Sequence, residues 1–414
     1  MTLKFKLGIT DQKQIIKQTI NVPEKCQRIT ISKSLKANLN NGYKNKVDLS
    51  FYDENGKWYG RFDRYKNTFE ITGQSIHSRS LLPGNWGVYC EVFQLYEEME
   101  ITLDITFHCY DHYHTFRGEL HTHTDITDGK LNLKELQTSI SNKNHDFFFM
   151  TDHNSITAWN DLNKDSPVKG YKGLEMTTFS GHILLLGITD YISWYDNNGQ
   201  RKPLEKIRTD VKEKGGILGI AHPFSHGAPF CAGCRWENPF EPSLFDFIEV
   251  WNSKLPDNRQ NWEAITIWTE FLRNDYQIFG TCGGDIHKAS DLDHSLCVCA
   301  LTNENNETSI LNSLKKGRFY LAQKEVTIQA DIEGKTFGQK VIAQKELKLL
   351  YKTQNCPENT TYHIITKSGM KNIDKNNNYF IINEIKEKDF VVLLGIGQNN
   401  DLVFLTNPIF LEKE

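Results

Sequence analysis

Histidines and carboxylates recur through the middle of the chain where they could hold metal ions. His121 and His123 stand one residue apart in Gly118-Glu119-Leu120-His121-Thr122-His123-Thr124. In an extended strand, residues i and i+2 point to the same face, so the two imidazoles can aim at one point. Histidine is a common metal ligand, but one His-x-His is weak evidence by itself. Later segments end in the same residue types. Asp128 follows closely, Asp152-His153 follows the apolar run Phe147–Met150, and Glu175 follows 171–174. His182 opens the apolar run 183–186, His222-Pro223 follows 217–221, and Asp285 and His287 follow 279–284. Imidazole and carboxylate together suit zinc, manganese or iron. A carboxylate can bridge two ions, and Glu175 is the candidate. Two ions about 3.5–4 Å apart lower the pKa of a shared water and stabilise both the attacking and the leaving oxygen. The ligands suffice for two or three divalent metals.

Side chains so scattered in sequence meet only if the elements bearing them end at one place. From 116 to 324, strand and helix patterns alternate. Leu133, Leu136 and Ile140 have helical spacing, as do Leu204, Ile207 and Val211, and then Ile265, Trp268, Phe271 and Leu272. Apolar runs of strand length fall at 147–150, 216–221, 245–250, 278–280 and 295–301. Repeated strand–helix units predict a parallel sheet or barrel. In a barrel the active site lies at the C-terminal ends of the strands.

Residues 1–115 and 325–414 read differently. Strand-like pieces fall at 4–7, 28–31, 46–52, 58–62, 68–71, 86–93 and 100–107. Turn signals separate them at Asn40-Asn41-Gly42, Asn55-Gly56 and Pro83-Gly84-Asn85. Later pieces fall at 326–332, 346–352, 361–366, 379–382 and 390–395. An N-terminal and a C-terminal β-sandwich-like domain are expected on either side of a central α/β domain. His77, His108, His112 and His114 show no acidic partner at ligand spacing and read as solvated or packed side chains.

Taken together, the motifs resemble those of the PHP (polymerase and histidinol phosphatase) superfamily of metal-dependent hydrolases. They are His-x-His at 121 and 123 with Asp128-Gly129 after it, Asp-His at 152 and 153, His-Pro at 222 and 223, and Asp-x-His at 285 and 287. Ser180-Gly181-His182 and Glu249-Val250-Trp251-Asn252 also look like its strand-end signatures. The resemblance covers 116–322. With a β module on either side, the chain is similar to the carbaryl-hydrolase-like (CehA/McbA) subgroup.

The resemblance implies an α/β fold, a distorted (β/α)7 barrel, and up to three metals. It assigns a first metal to His121, His123, Glu175 and Asp285. A second shares Glu175 and adds His182 and His222, and a third takes Asp128, His153 and His287. In several relatives a His stands at the position of Asp128. Asp152 would orient a ligand or close a turn. The activity implied is that of a phosphoesterase, in which a metal-bridging hydroxide cleaves a small phosphomonoester or phosphodiester. Glu175, Asp285 and His287 would be its catalytic residues. Amide, carbamate or carboxylic-ester hydrolysis at the same site is the alternative within the class. A non-catalytic metal-binding interaction protein is the alternative outside it.

The charge balance fits a small substrate. The chain has 414 residues with a net charge of −4 and a pI of about 6.4, which argues against an extended nucleic-acid footprint. A phosphorylated small molecule would still need local cations. Arg235, Lys288 and Arg117 lie near motif segments, and His226 follows His222-Pro223 closely. Trp236 and Trp251 could line a specificity wall, although aromatic residues near strand ends are more often core. No apolar run is long enough for a membrane span. Residues 1–20 mix lysines with apolar residues and lack a continuous apolar signal segment, so a cytoplasmic location is expected. The cysteines number nine and are scattered, so no disulfide framework is expected. Cys231-Ala232-Gly233-Cys234 is a lone C-x-x-C and reads as a pair of ordinary loop cysteines.

Overall fold

The computed structural model describes residues 1–23, 26–36, 44–62, 66–72, 81, 83–109, 113–254, 258–343, 346–383 and 385–414. Asn40, Asn41, Gly42, His77 and His112 lie outside them. The chain forms two compact units, 1–114 with 302–309 and 115–301 with 310–414.

The first unit is built from β1 (Thr2–Leu7), β2 (Ile15–Val22), β3 (Cys26–Lys36), β4 (Lys46–Tyr52), β5 (Trp58–Phe62), β6 (Thr68–Thr72), β7 (Gly84–Gln94) and β8 (Met99–Cys109). They form two four-stranded sheets, β1-β8-β3-β6 and β2-β7-β4-β5. Alternation sets which side chains turn inward: Met99, Ile101, Leu103 and Ile105 of β8 are buried, as the two-residue period of a strand requires. With Ile29, Ile31, Leu49, Phe51 and Trp86 they make one core.

From residue 114 the pattern changes. There follow β9 (His114–Glu119), α1 (Leu133–Asn142), β10 (Phe147–Met150), β11 (Lys169–Thr178), β12 (Gly181–Leu186), α2 (Leu204–Glu213), β13 (Ile217–Ile220), β14 (Phe247–Asn252), α3 (Asn258–Arg273), β15 (Phe279–Gly283), β16 (Cys297–Thr302), α4 (Glu307–Lys315) and β17 (Phe319–Ala322). The helical spacings expected from the sequence fall in α1, α2 and α3, and they bury Leu136 and Ile140, Ile207 and Val211, and Ile265 and Trp268. A capping box starts α1: Asn132 Oδ1 accepts from the Glu135 amide, and the Asn132 amide donates to Glu135 Oε2, each at 3.0 Å.

The sheet runs β15-β14-β13-β12-β11-β10-β9-β16-β17. β9, β10 and β11 are parallel, as are β13, β14 and β15. β12 is antiparallel to both neighbours. The antiparallel β12 interrupts the strand–helix alternation that the sequence pattern leads one to expect, in a fold for which the resemblance implies a distorted (β/α)7 barrel. β11 and β12 join through a hairpin turn, and a hairpin needs no crossover helix. Among the described residues the ladder does not close on itself as a full barrel would. Past the ends of β9 and β15, a single parallel bridge joins Thr122 to Ile286.

The C-terminal segment adds β18 (Thr327–Ile332), β19 (Lys340–Ala343), β20 (Leu347–Gln354), β21 (Thr361–Thr366), β22 (Gly369–Ile373), β23 (Tyr379–Ile382), β24 (Lys388–Ile396), β25 (Leu402–Thr406) and β26 (Ile409–Lys413). The sequence pattern predicts a C-terminal domain of its own over 325–414. In the structure β25, β24, β21 and β22 extend the large sheet from β17, and the segment lies in the second unit. Among the described residues no helix is long and apolar enough to cross a membrane.

Candidate metal centre

The site is assembled where β9, β10, β11, β13 and β15 end and where β12 begins. The β11–β12 hairpin explains the exception. Reversing the chain sets the first residues of β12 beside the last of β11, so His182 pairs in register with Thr177. His121 and His123, just past β9, are both fully buried, as the shared-face argument requires.

Glu175 stands at the centre and is fully buried. Its two oxygens face different rings. Oε2 lies 3.1 Å from His121 Nε2, 3.2 Å from His123 Nε2 and 3.0 Å from His153 Nδ1. Oε1 lies 2.8 Å from His182 Nδ1 and 3.1 Å from His222 Nε2. Asp285 Oδ1 sits 3.1 Å from His123 Nε2, 3.3 Å from His287 Nδ1 and 3.6 Å from His121 Nε2. Asp128 is at the outer edge, with Oδ2 3.0 Å from His287 Nε2 and 3.5 Å from His153 Nε2.

Electrostatics follow from this packing. Burial opposes the charge on Glu175, but His121, His182 and His153 outweigh it and hold the carboxyl well below its ordinary range. Burial likewise opposes the charge on His121, and Glu175, Asp285 and Glu249 hold its imidazole well above the usual value. His153 is raised to about 10 against its burial, by Glu175 and Asp128. Burial lowers His182. Within the ring of imidazoles, the carboxylates thus favour the protonated form of His121, His153 and His222, while burial favours the neutral form of His182.

The donor set fits divalent cations. Beyond the close approaches of Glu175 Oε2 to His121 Nε2 and His123 Nε2, His123 Nδ1, His182 Nε2 and His222 Nδ1 are buried and have no hydrogen-bond partner among the described residues. Each such group costs about 1–3 kcal/mol, and a cation between imidazole nitrogens and carboxylate oxygens would satisfy several at once. Candidate ligand atoms within 4.8 Å of one another come from His121, His123 and Asp285, from His121, Glu175 and His222, from His153, Glu175 and His182, and from His123, Asp128, His153 and His287. All the ligand residues expected from the sequence thus meet. In these groups His182 falls with His153 and His222 with His121, while His182 and His222 both face Glu175 Oε1.

The surroundings hold the rings. The β14–β15 register shifts between Glu249 and Trp251, and a bulge of this kind re-aims a side chain. Glu249 Oε1 lies 3.2 Å from His121 Nδ1, while its Oε2 accepts from the His222 amide at 2.8 Å and from Asn252 Nδ2 at 3.1 Å. Glu119 Oε1 accepts from the amides of Leu120, His121 and Gly284, and burial lifts this carboxyl to about 8. Asp152 touches no imidazole. It accepts from the Thr124 amide and from the hydroxyls of Thr124 and Thr127, which closes the turn leading to Asp128. His222 and Asp285 have φ of 24° and 49°, a region that costs a non-glycine residue about 1–3 kcal/mol unless its surroundings hold it there.

A cleft of about 500 Å³ opens over the cluster, lined by Asp128, His153, Thr177, His182, His222, Ser225, His226, Cys231, Ala232, Cys234, Lys254, Asp285 and His287. Of the cationic candidates from the sequence, His226 lines it. Arg235 is exposed and outside this lining, and Lys288 Nζ lies 3.9 Å from Asp291. Arg117 lies near Cys299, Cys297, Tyr320 and Glu325. Trp251 and Trp236 are buried, with Trp236 packed on Phe245. Cys231 and Cys234 are joined by a disulfide at the cleft wall. The residues expected from the sequence include neither Glu119 nor Lys254, and Glu249 enters only as part of a signature. Glu119 shares the alternating face of His121 and His123, and Glu249 interrupts an apolar strand, so both left a signal. Lys254 left none.

No family model matches the chain, and no curated protein matches it. Solved structures do. A two-domain protein from Bacteroides vulgatus ATCC 8482, described as containing a predicted PHP-like metal-dependent phosphoesterase, is 15% identical over 72% of this chain and 96% of its own, with a TM-score of 0.41. A proposed metal-dependent phosphoesterase from Bifidobacterium adolescentis ATCC 15703 is 14% identical over 42% of this chain and 88% of its own, with a TM-score of 0.31. An amidohydrolase from Chromobacterium violaceum with bound sulfate and no metal is 15% identical over 41% of this chain and 87% of its own, with a TM-score of 0.28.

Proposed function

We propose that this chain is a PHP-type metal-dependent hydrolase that cleaves a small phosphate ester. The observation that carries the reading is Glu175: one buried carboxylate whose two oxygens face two sets of imidazoles at the base of a cleft. Two or three divalent ions, zinc, manganese or iron, would be held by His121, His123, Asp285, Glu175, His182 and His222, with Asp128, His153 and His287 at the outer edge. When bound, such ions lower the pKa of water and stabilise charge on the attacking and leaving oxygens.

The chain's own residues prepare this chemistry. Glu249 orients His121 from the far side of its ring, and Glu119 pins the end of β9 to Gly284. Burial of Glu175, His121 and His123 away from water strengthens the charge interactions among them. Asp285 and His287 face the cleft, and His287 is assigned to the departing oxygen. A cleft of about 500 Å³ suits a small-molecule substrate.

Aryl phosphate mono- and diesters, an aryl carbamate and an aryl carboxylic ester, offered to one sample loaded with manganese or zinc, test the reading. Turnover of the phosphates is expected. Turnover of the carbamate alone would overturn it and favour the carbaryl-hydrolase-like subgroup. A protein that binds metal but turns over none of them would be a binding module.

A further inference from the structure

Lys254 lies two residues past β14 and lines the same cleft as the clustered histidines. Its Nζ is 2.8 Å from His287 Nδ1 and 3.1 Å from His287 Nε2. Among the described residues, the carboxylate oxygen paired with it is Asp285 Oδ1, at 3.8 Å. Among the described residues that line the cleft, Lys254 carries the only ammonium or guanidinium group.

Asp285 is a poor counter-ion for it. The same oxygen is closer to His123 and His287 and also faces His121, so its charge is claimed from the buried side. Lys254 is 43% exposed in its side chain, which leaves room beside it. An ammonium so placed is a point charge suited to a phosphoryl oxygen. A neutral carbamate or carboxylic ester offers it no anionic partner.

We propose that Lys254 is the cationic contact for the anionic group of the substrate and sets a preference for phosphate esters over neutral esters at this site. The inference rests on the phosphoesterase reading for the identity of the anion. Lys254 acts by binding, so its removal should weaken substrate and product alike.

The test compares wild type with Lys254→Met and Lys254→Arg, all loaded with the same metal. Metal content and thermal melting are measured first and are expected to be unchanged in both variants. Inorganic phosphate is then titrated calorimetrically into each. Lys254→Met is expected to bind phosphate about ten- to a hundredfold more weakly, with Lys254→Arg recovering most of the loss. In steady-state assays on an aryl phosphate, KM should rise more than kcat falls. Equal phosphate affinity in wild type and Lys254→Met, or no phosphate binding by wild type, overturns the proposal. The hydrolase reading is judged separately, on wild-type turnover. Phosphate binding that depends on Lys254 in a protein that turns over no phosphate ester would sustain the contact and refute the reaction.

Discussion

At the scale of single residues the site is a charge balance around one carboxylate. Glu175 has no exposure to water and is approached by five imidazoles. Replacing it removes the one group that both sets of rings share. Glu175→Ala should lose bound metal, and turnover should fall by more than about a hundredfold, the upper end of what outer partners of metal ligands cost. Its far-UV circular dichroism should match wild type. Metal analysis beside a rate assay decides it, and near-native turnover would end the shared-carboxylate assignment. The ligand histidines were legible because period-two spacing and strand ends are written in the local sequence. Lys254 was not, since its relation to His287 spans the helix α3 and two strand ends, and nothing local marks it.

At the scale of elements, the site depends on how closely strand ends approach. β15 ends in Gly283, where an added methyl carbon would run into Glu249 Oε1 and the Cβ of His121. The tight fit sets Glu249 against the ring it orients. Gly283→Ala should weaken metal affinity about ten- to a hundredfold and lower stability by about 1–3 kcal/mol through overpacking. Competition against a chelating dye and a denaturant melt would measure the two effects, and unchanged affinity would show that Glu249 does not act through His121. The amphipathic helices α1, α2 and α3 were readable from spacing. The antiparallel β12 was not, because a fully apolar strand such as 183–186 carries no mark of the direction of its neighbours.

At the scale of the molecule, the sequence showed β-rich ends around an α/β middle, yet it could not show which strands would share a sheet. β17 is the hinge of that difference, pairing with β16 on one side and β25 on the other. Such pairings join residues far apart in the chain and depend on matching surfaces rather than on local pattern. The candidate ligands all lie in the second unit, 115–301 with 310–414.

The imidazoles around Glu175 also amount to a store of protons. His153 is raised to about 10 and His121 well above its usual value, and Glu175 raises His222 against its burial. Pairing with the carboxylates alone thus favours a proton on each of these rings. A cation must displace those protons before it can use the ring nitrogens. Metal uptake by this protein should therefore acidify the solution. Apparent affinity should rise with pH by about tenfold per unit for each proton displaced, and fall equally on acidification. Zinc titrations in buffers of different ionisation enthalpy would count the protons, and a heat that does not vary with buffer would mean that none are stored there.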